Sequence, residues 1–350
     1  MQQRMIHQFG AQPGVQHKER YSQSEHWKDG KFHNLEFTTM DIKASKIPGL
    51  MYRQFFTKEG RLPGQSWSID GWASALDVHQ NDKVKFVWFG HSTLLMNING
   101  FIVLIDPMFG DNAAPVSPFA VKRFSESIFN VIDQLPRVDL VLISHDHYDH
   151  LDYGSIMKLR AKTKQFYVAL GVGRHLIKWG IDAHRITEFD WWQEAQAGMV
   201  HITFTPSRHF SGRGITDRAM SMWGGWVIQT AQEKIWFSGD GGYGKHFAEI
   251  GRRLGPFDLG FIECGQYNEM WHQIHMYPEE GVVAALEAGA SKVMPVHWGS
   301  FALAMHHWKE PVDRFVNEAL KCNLPMILPA QGTPASLHYE FNEGWWQGII

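Results

Sequence analysis

The chain has 350 residues, 44% hydrophobic and 20% charged, with a formal net charge of −3. This composition excludes a disordered or fibrous protein, and the slight negative balance speaks against a dedicated nucleic-acid binder, which needs a basic face for phosphate backbones. Two cysteines, Cys264 and Cys322, are too few for a disulfide framework and form no CxxC pair, so a reducing, cytoplasmic setting is expected.

The opening residues MQQRMIHQFG carry charged and amide side chains where a secretory signal needs an apolar run of about seven or more. Secretion is not expected. No stretch approaches the roughly 20 apolar residues of a membrane-spanning helix. Residues 1–80 are polar, interrupted by Pro13, Pro48, Gly49, Pro63 and Gly64, and read as a partly irregular N-terminal arm with short helical pieces, lying away from the chemistry. Within it, Lys43 to Arg61 mixes basic and aromatic residues. A solvated or docked arm is the simpler reading there, and peripheral contact with the inner membrane the alternative.

Residues 81–350 read as one catalytic domain. From residue 84 the texture changes to short apolar runs bounded by turn residues: Val84 to Phe89, Phe101 to Ile105, Leu140 to Ile143, Phe166 to Leu170, Val200 to Phe204, Ile235 to Phe237, Leu259 to Ile262 and Val293 to Val296. These are expected to be buried strands. Helical spacing marks Gly154 to Lys164, Tyr243 to Leu254, Pro278 to Ala288 and Pro311 to Lys321, two of them opened by a proline suited to a first turn. Early strands followed by alternating strands and helices predict an α/β fold of two sheets sandwiched between helices.

The chemistry concentrates in Asp139-Leu-Val-Leu-Ile-Ser-His145-Asp-His147-Tyr-Asp149-His150, where an apolar strand stops and releases four ligand-type side chains within six residues. Residues two apart in extended chain point the same way, so His145 and His147 can grip one cation, and a turn after His147 lets Asp149 and His150 face a second. A polar loop with chance histidines is the bland alternative. Four ligands do not complete two coordination spheres, so further ligands are required at other strand ends. His209, Asp240 and His297 each follow an apolar run, and strand ends in layered α/β folds converge on one edge. A carboxylate can bridge two cations. The expected first site is therefore His145, His147, His209 and Asp240, and the second Asp149, His150, Asp240 and His297. Nitrogen and oxygen donors without thiolate suit two zinc ions, with manganese or iron compatible, and such a pair holds a hydroxide near neutral pH.

Several weaker signals accompany this cluster. Gly239-Asp-Gly241-Gly-Tyr-Gly244 fits a dinucleotide fingerprint, but Asp258 begins the following strand, where the fingerprint needs an acidic residue that closes one. The glycines are expected to let the backbone turn around Asp240. His272 and His275 precede Pro278 within reach of the metal edge, and His275 is the candidate acid or hydrogen-bond donor to a phosphoryl oxygen. His306 and His307 read as surface or packing residues. Trp191, Trp192, Trp223, Trp226, Trp345 and Trp346 read as packing aromatics.

These residues carry a resemblance. The segments WFGHSTLL (88–95), LIDPMF (104–109), LISHDHYDHLDY (142–153), FDWW (189–192), FTPSRH (204–209), SGDGGY (238–243), GPFDL (255–259), YPEE (277–280) and VHWGSF (296–301) resemble the metallo-β-lactamase superfamily and, within it, the N-acyl-phosphatidylethanolamine-hydrolysing phospholipases D and their bacterial relatives. The resemblance implies a four-layer αββα sandwich and puts metal ligands at His145, His147, Asp149, His150, His209, Asp240 and His297. It also implies catalytic roles for Asp149, Asp240 and His275. The implied reaction is in-line attack of a metal-held hydroxide on a small-molecule or lipid phosphodiester, without nucleic acid as substrate. The segment from Gly265 to Pro278 departs from the animal enzymes. Alternatives on the same fold are a lactonase or esterase, a di-iron protein, or a binding protein without catalysis. The oligomeric state stays open, a homodimer being one arrangement.

Overall fold

The computed structural model describes residues 7–40, 44–57, 59–77, 83–114, 120–126, 128–341 and 344–349. The arm forms helix α1 (Val15–Tyr21), a small hairpin of β1 (Trp27–Lys28) and β2 (Lys31–Phe32), and helix α2 (Ile47–Phe56). The next strands are β3 (Val84–Trp88), β4 (Leu94–Ile98), β5 (Phe101–Ile105), β6 (Val138–Ile143), β7 (Thr163–Ala169) and β8 (Ile186–Phe189). With β15 (Pro334–Ala335) they make a seven-stranded sheet in the order β15-β3-β4-β5-β6-β7-β8. A second sheet, ordered β14-β13-β12-β11-β10-β9, takes β9 (Glu194–Ala197), β10 (Val200–Thr205), β11 (Gly225–Gln229), β12 (Lys234–Phe237), β13 (Leu259–Glu263) and β14 (Val293–Val296).

The two sheets face each other across an aromatic-rich core. Phe86 of β3 meets Phe261 of β13 edge-on at 5.1 Å, and Phe189 of β8 meets Trp226 of β11 at 5.4 Å. Outside, α3 (Val131–Gln134), α4 (Tyr153–Leu159) and α5 (Gly173–Lys178) accompany the first sheet. On the second sheet α7 (Pro278–Glu287) packs on β13, flanked by α6 (His246–Leu254) and α8 (Glu310–Lys321). This is the expected four-layer αββα sandwich.

Local chemistry explains most element boundaries. Asp152 caps α4 by accepting from the amides of Gly154 and Ser155 at 3.2 and 2.8 Å, and Glu280 reaches back to the Tyr277 amide at 2.8 Å to start α7 on Pro278, each satisfying an otherwise orphaned donor. The helix expected over Gly154 to Lys164 stops at Leu159. Lys162 instead points its ammonium at three carbonyls in and just after α3, those of Ile132, Asp133 and Leu135, each at 2.8 Å, and Thr163 is already paired with Val138, so strand pairing overrides helical spacing. Strand β4 was not among the expected runs, because the polar Asn97 breaks its apolar stretch just before the turn. It is joined to β5 by Asn99-Gly100 at φ 50° and 87°, a two-residue turn that needs left-handed conformations.

The arm is docked against the sandwich. Tyr21, Phe32 and Trp72 belong to the main core, and the Ala75 carbonyl accepts from Asn97 Nδ2 at 2.8 Å. Within the basic, aromatic segment, Lys43 lies outside the described residues and Arg61 is buried, donating to the carbonyls of Ala304, Arg53 and Ala302 at 3.0–3.1 Å. Arg61 is thus a docking residue, whereas Tyr52 and Phe56 are exposed and stack at 5.3 Å. Trp191, Trp223, Trp226 and Trp346 are buried and Trp192 and Trp345 half-buried, all packed in the core.

Candidate metal centre

Strands β5 to β8 run parallel to one another, as do β12 to β14, so their carboxyl ends meet at one edge. After β6 the chain turns on two bonds to the His147 carbonyl, from the amides of His150 (3.1 Å) and Leu151 (2.8 Å), and this turn splits the cluster as its spacing predicted. His145 Nε2 and His209 Nε2 lie 2.9 and 3.2 Å from His147 Nδ1. Beyond them His150 Nε2 is 3.6 Å from Asp149 Oδ2, and His297 Nδ1 is 3.2 Å from Asp240 Oδ1. Asp240 stands between the two groups, its Oδ2 2.9 Å from His150 Nε2 and 3.8 Å from His145 Nε2.

The tautomers follow from what faces each ring. The Ile274 carbonyl can only accept, so His209 donates to it from Nδ1 (2.9 Å) and Nε2 carries the lone pair. His150 likewise donates Nδ1–H to Asp106 Oδ2 at 2.8 Å. Burial, with the neighbouring imidazoles, holds His145, His209 and His297 well below the usual histidine range, and burial first of all lowers His147 to about 4. These rings are neutral donors with lone pairs turned inward. Burial pushes Asp240 up to about 7 against the pull of His150. Burial opposes charge on His150, but Asp240, Asp149 and Asp106 together raise it well above its ordinary value. Buried His150 Nε2 and Asp240 Oδ1 make no contact of hydrogen-bond geometry, close as Asp240 Oδ2 and His297 Nδ1 lie to them. Convergent lone pairs, a carboxylate between them and two orphaned polar atoms fit a pair of divalent cations with nitrogen and oxygen preference.

The geometry adds residues that sequence reasoning missed. His91, buried at φ 52°, stands with Asp149, His150 and His297 and directs Nε2 at Asp149 Oδ2 across 2.7 Å. Asp106 is fully buried and accepts from the Ser144 amide (2.8 Å), the Ser144 hydroxyl (2.6 Å) and His150. Both positions sat inside quoted motifs, and Asp106 follows an apolar run as Asp240 does, so the same rule would have found it. Left-handed backbone at His91 (52°), Asp106 (41°) and His297 (65°) concentrates strain where side chains must be aimed. The arm, read from sequence as remote from the chemistry, clamps a candidate ligand: Asn34 Nδ2 donates to the His209 carbonyl (2.8 Å) and its Oδ1 accepts from the His209 amide (3.1 Å).

Beside the cluster lies a cavity of about 240 Å³ lined by His147, Asp149, His275, Phe210, Trp271 and Met40, among others. His275 reaches it, while His272 is exposed and stacks on Tyr277 at 5.9 Å. His306 packs on Tyr267 at 4.7 Å and His307 is exposed. Asp258 accepts from the Lys234 amide at 2.7 Å, at the start of β12 and away from the carboxyl ends, which removes the dinucleotide reading. At Gly239 (φ 65°) an added Cβ would meet the Gly224 carbonyl at 2.2 Å, and at Gly242 the Gln273 carbonyl at 2.0 Å, so these glycines serve close packing around Asp240.

Known proteins resemble this chain in sequence and in fold. Residues 102–298 match the beta-lactamase superfamily domain. An uncharacterized protein of Mycobacterium tuberculosis is 36% identical over 338 residues, covering 93% of this chain and 88% of that protein. The N-acyl-phosphatidylethanolamine-hydrolyzing phospholipase D 1 of Caenorhabditis elegans is 30% identical over 254 residues, covering 69% of this chain and 71% of that enzyme. Among solved structures, the metallo hydrolase Igni18 of Ignicoccus hospitalis superposes with a TM-score of 0.55 at 18% identity, covering 74% of this chain and 100% of the other, a likeness of fold.

Proposed function

The chain belongs to the metallo-β-lactamase superfamily and is a metal-dependent hydrolase, and from that premise we propose that it is a phosphodiesterase with a dinuclear zinc site. The reading rests on one observation: seven ligand-type side chains converge on two adjoining groups, with Asp240 between them, in a chain 30% identical to a phospholipase D that hydrolyses N-acyl-phosphatidylethanolamine. In it His145, His147 and His209 would hold one cation and Asp149, His150 and His297 the other, with Asp240 available to both. Bound there, the two cations would supply Lewis acidity and a water activated near neutral pH.

The remaining residues orient and exclude. Asp106 and the Ile274 carbonyl fix two imidazoles in the tautomer that leaves Nε2 free. His91 steadies Asp149. His275 faces the cavity as the group that exchanges a proton or hydrogen bond with a phosphoryl or leaving oxygen. Phe210, Trp271, Ile274 and Leu303 line the same cavity and suit an apolar arm of the substrate. The exposed Phe37, Tyr52 and Phe56 of the arm support peripheral contact with lipid, and the two free cysteines support a reducing, cytoplasmic location.

The test is turnover of an aryl phosphodiester beside a lactone. Diester hydrolysis should vanish on chelation, return with zinc or manganese, and stay absent in Asp240→Asn with its fold retained. Lactone turnover exceeding that of every diester would assign the ester reading instead.

A further inference from the structure

Glu263 ends β13 with no exposed surface and is outside the seven-ligand set. Its two oxygens have separate partners: Oε2 accepts from the Gly241 backbone amide and Oε1 meets His275 Nδ1. The His275 ring stands parallel to His297 (5.3 Å between centroids, 10° between planes) and 4.9 Å from the His209 ring. Nδ1 is thereby occupied, and Nε2 is the ring nitrogen left for the cavity that His275 lines. Burial pushes the Glu263 carboxyl well above the usual carboxylate range, and its ionised form, which can only accept, is the one that puts the ring proton on Nδ1.

We propose that Glu263 is a positioning residue: it holds His275 in the Nδ1–H tautomer with its ring plane set, so that Nε2 is the atom presented to substrate. The catalytic consequence rests on the phosphodiesterase reading, whereas the tautomer is a property of the folded chain. A ring so held accepts at Nε2 when neutral and donates from Nε2 when protonated, with the carboxylate stabilising the imidazolium. Without that partner the neutral ring could carry its proton on either nitrogen.

Glu263→Gln tests this, because the amide keeps the shape and loses one acceptor. The Gly241 amide belongs to a tightly packed loop, in which the neighbouring Gly242 amide donates to the Arg208 carbonyl at 2.9 Å. It therefore keeps the remaining oxygen, and the new NH2 faces His275 Nδ1. The ring proton must then move to Nε2. In zinc-loaded protein labelled with 15N-histidine, the His275 signals, recognised by their loss in His275→Ala, report which nitrogen is protonated.

The expected result is Nδ1–H in the native chain, Nε2–H in Glu263→Gln and Nδ1–H again in Glu263→Asp. kcat for a diester should fall about 10- to 100-fold in Glu263→Gln at unchanged KM and zinc content, with partial recovery in Glu263→Asp. A native ring protonated at Nε2 overturns the proposal and needs no variant to be seen. So does an unchanged tautomer in Glu263→Gln, or loss of zinc from it, which would make Glu263 part of the metal site. A tautomer that reverses in a chain inactive on every diester refutes the phosphodiesterase reading and leaves the positioning role standing.

Discussion

Removing the Asn34 side chain is a perturbation 175 residues away from the ligand it acts on. Asn34→Ala deletes two bonds to the His209 backbone and one from Trp223 Nε1 (2.9 Å). Trp223 keeps a second acceptor, the Ser207 carbonyl at 3.2 Å, so the loss falls on the His209 amide and carbonyl. A buried polar group left without a partner costs about 1–3 kcal/mol. For two half-buried groups we expect about 2–3 kcal/mol, which the metal-free chain recovers by letting the segment around His209 relax. Binding a cation must then restore that segment, so zinc affinity should drop by up to about 30- to 150-fold. Asn34→Asp keeps the acceptor, loses the donor and should fall between. Competition with a chromophoric chelator measures the affinity, and hydrogen exchange at the His209 amide reports the relaxation. Zinc affinity within about twofold of native, with His209 protection unchanged, would refute the claim that the arm positions a ligand.

Two other substitutions probe the support of the centre. Asp106→Asn keeps an acceptor for the Ser144 amide but turns an NH2 toward His150, forcing its proton to Nε2. Metal analysis should show affinity for the second cation lowered about 10- to 100-fold, and full occupancy at native affinity would count against the tautomer argument. Gly242→Ala drives a Cβ to within 2.0 Å of the Gln273 carbonyl. The expected overpacking cost is about 1–3 kcal/mol, and because Ile274 and His275 follow directly, kcat should fall alongside the melting temperature.

That these candidate side chains would come together was legible because the signals are local. His145, His147, Asp149 and His150 sit within six residues after one apolar run, and His209, Asp240 and His297 each follow another. Strands with continuous apolar runs were legible for the same reason. The edge strands β8 and β9, with the sequences ITEF and EAQA, were not, since each has only four residues and carries no continuous apolar run. Glu263 closes a run in which every residue is buried, and a charged residue there gave a hint that only its contact with His275 could interpret. Asn34 gave none, being one polar residue in a polar arm.

The sequence by itself brought forward seven candidate ligands and the strand ends at which they stand, because ligand chemistry and apolar spacing are properties of short stretches of chain. Only the tertiary structure decided that His91, Asp106 and Asn34 touch those residues and that Glu263 touches His275. Each of these acts through a contact between residues distant in sequence, and such a contact exists only once the two sheets and the arm have packed.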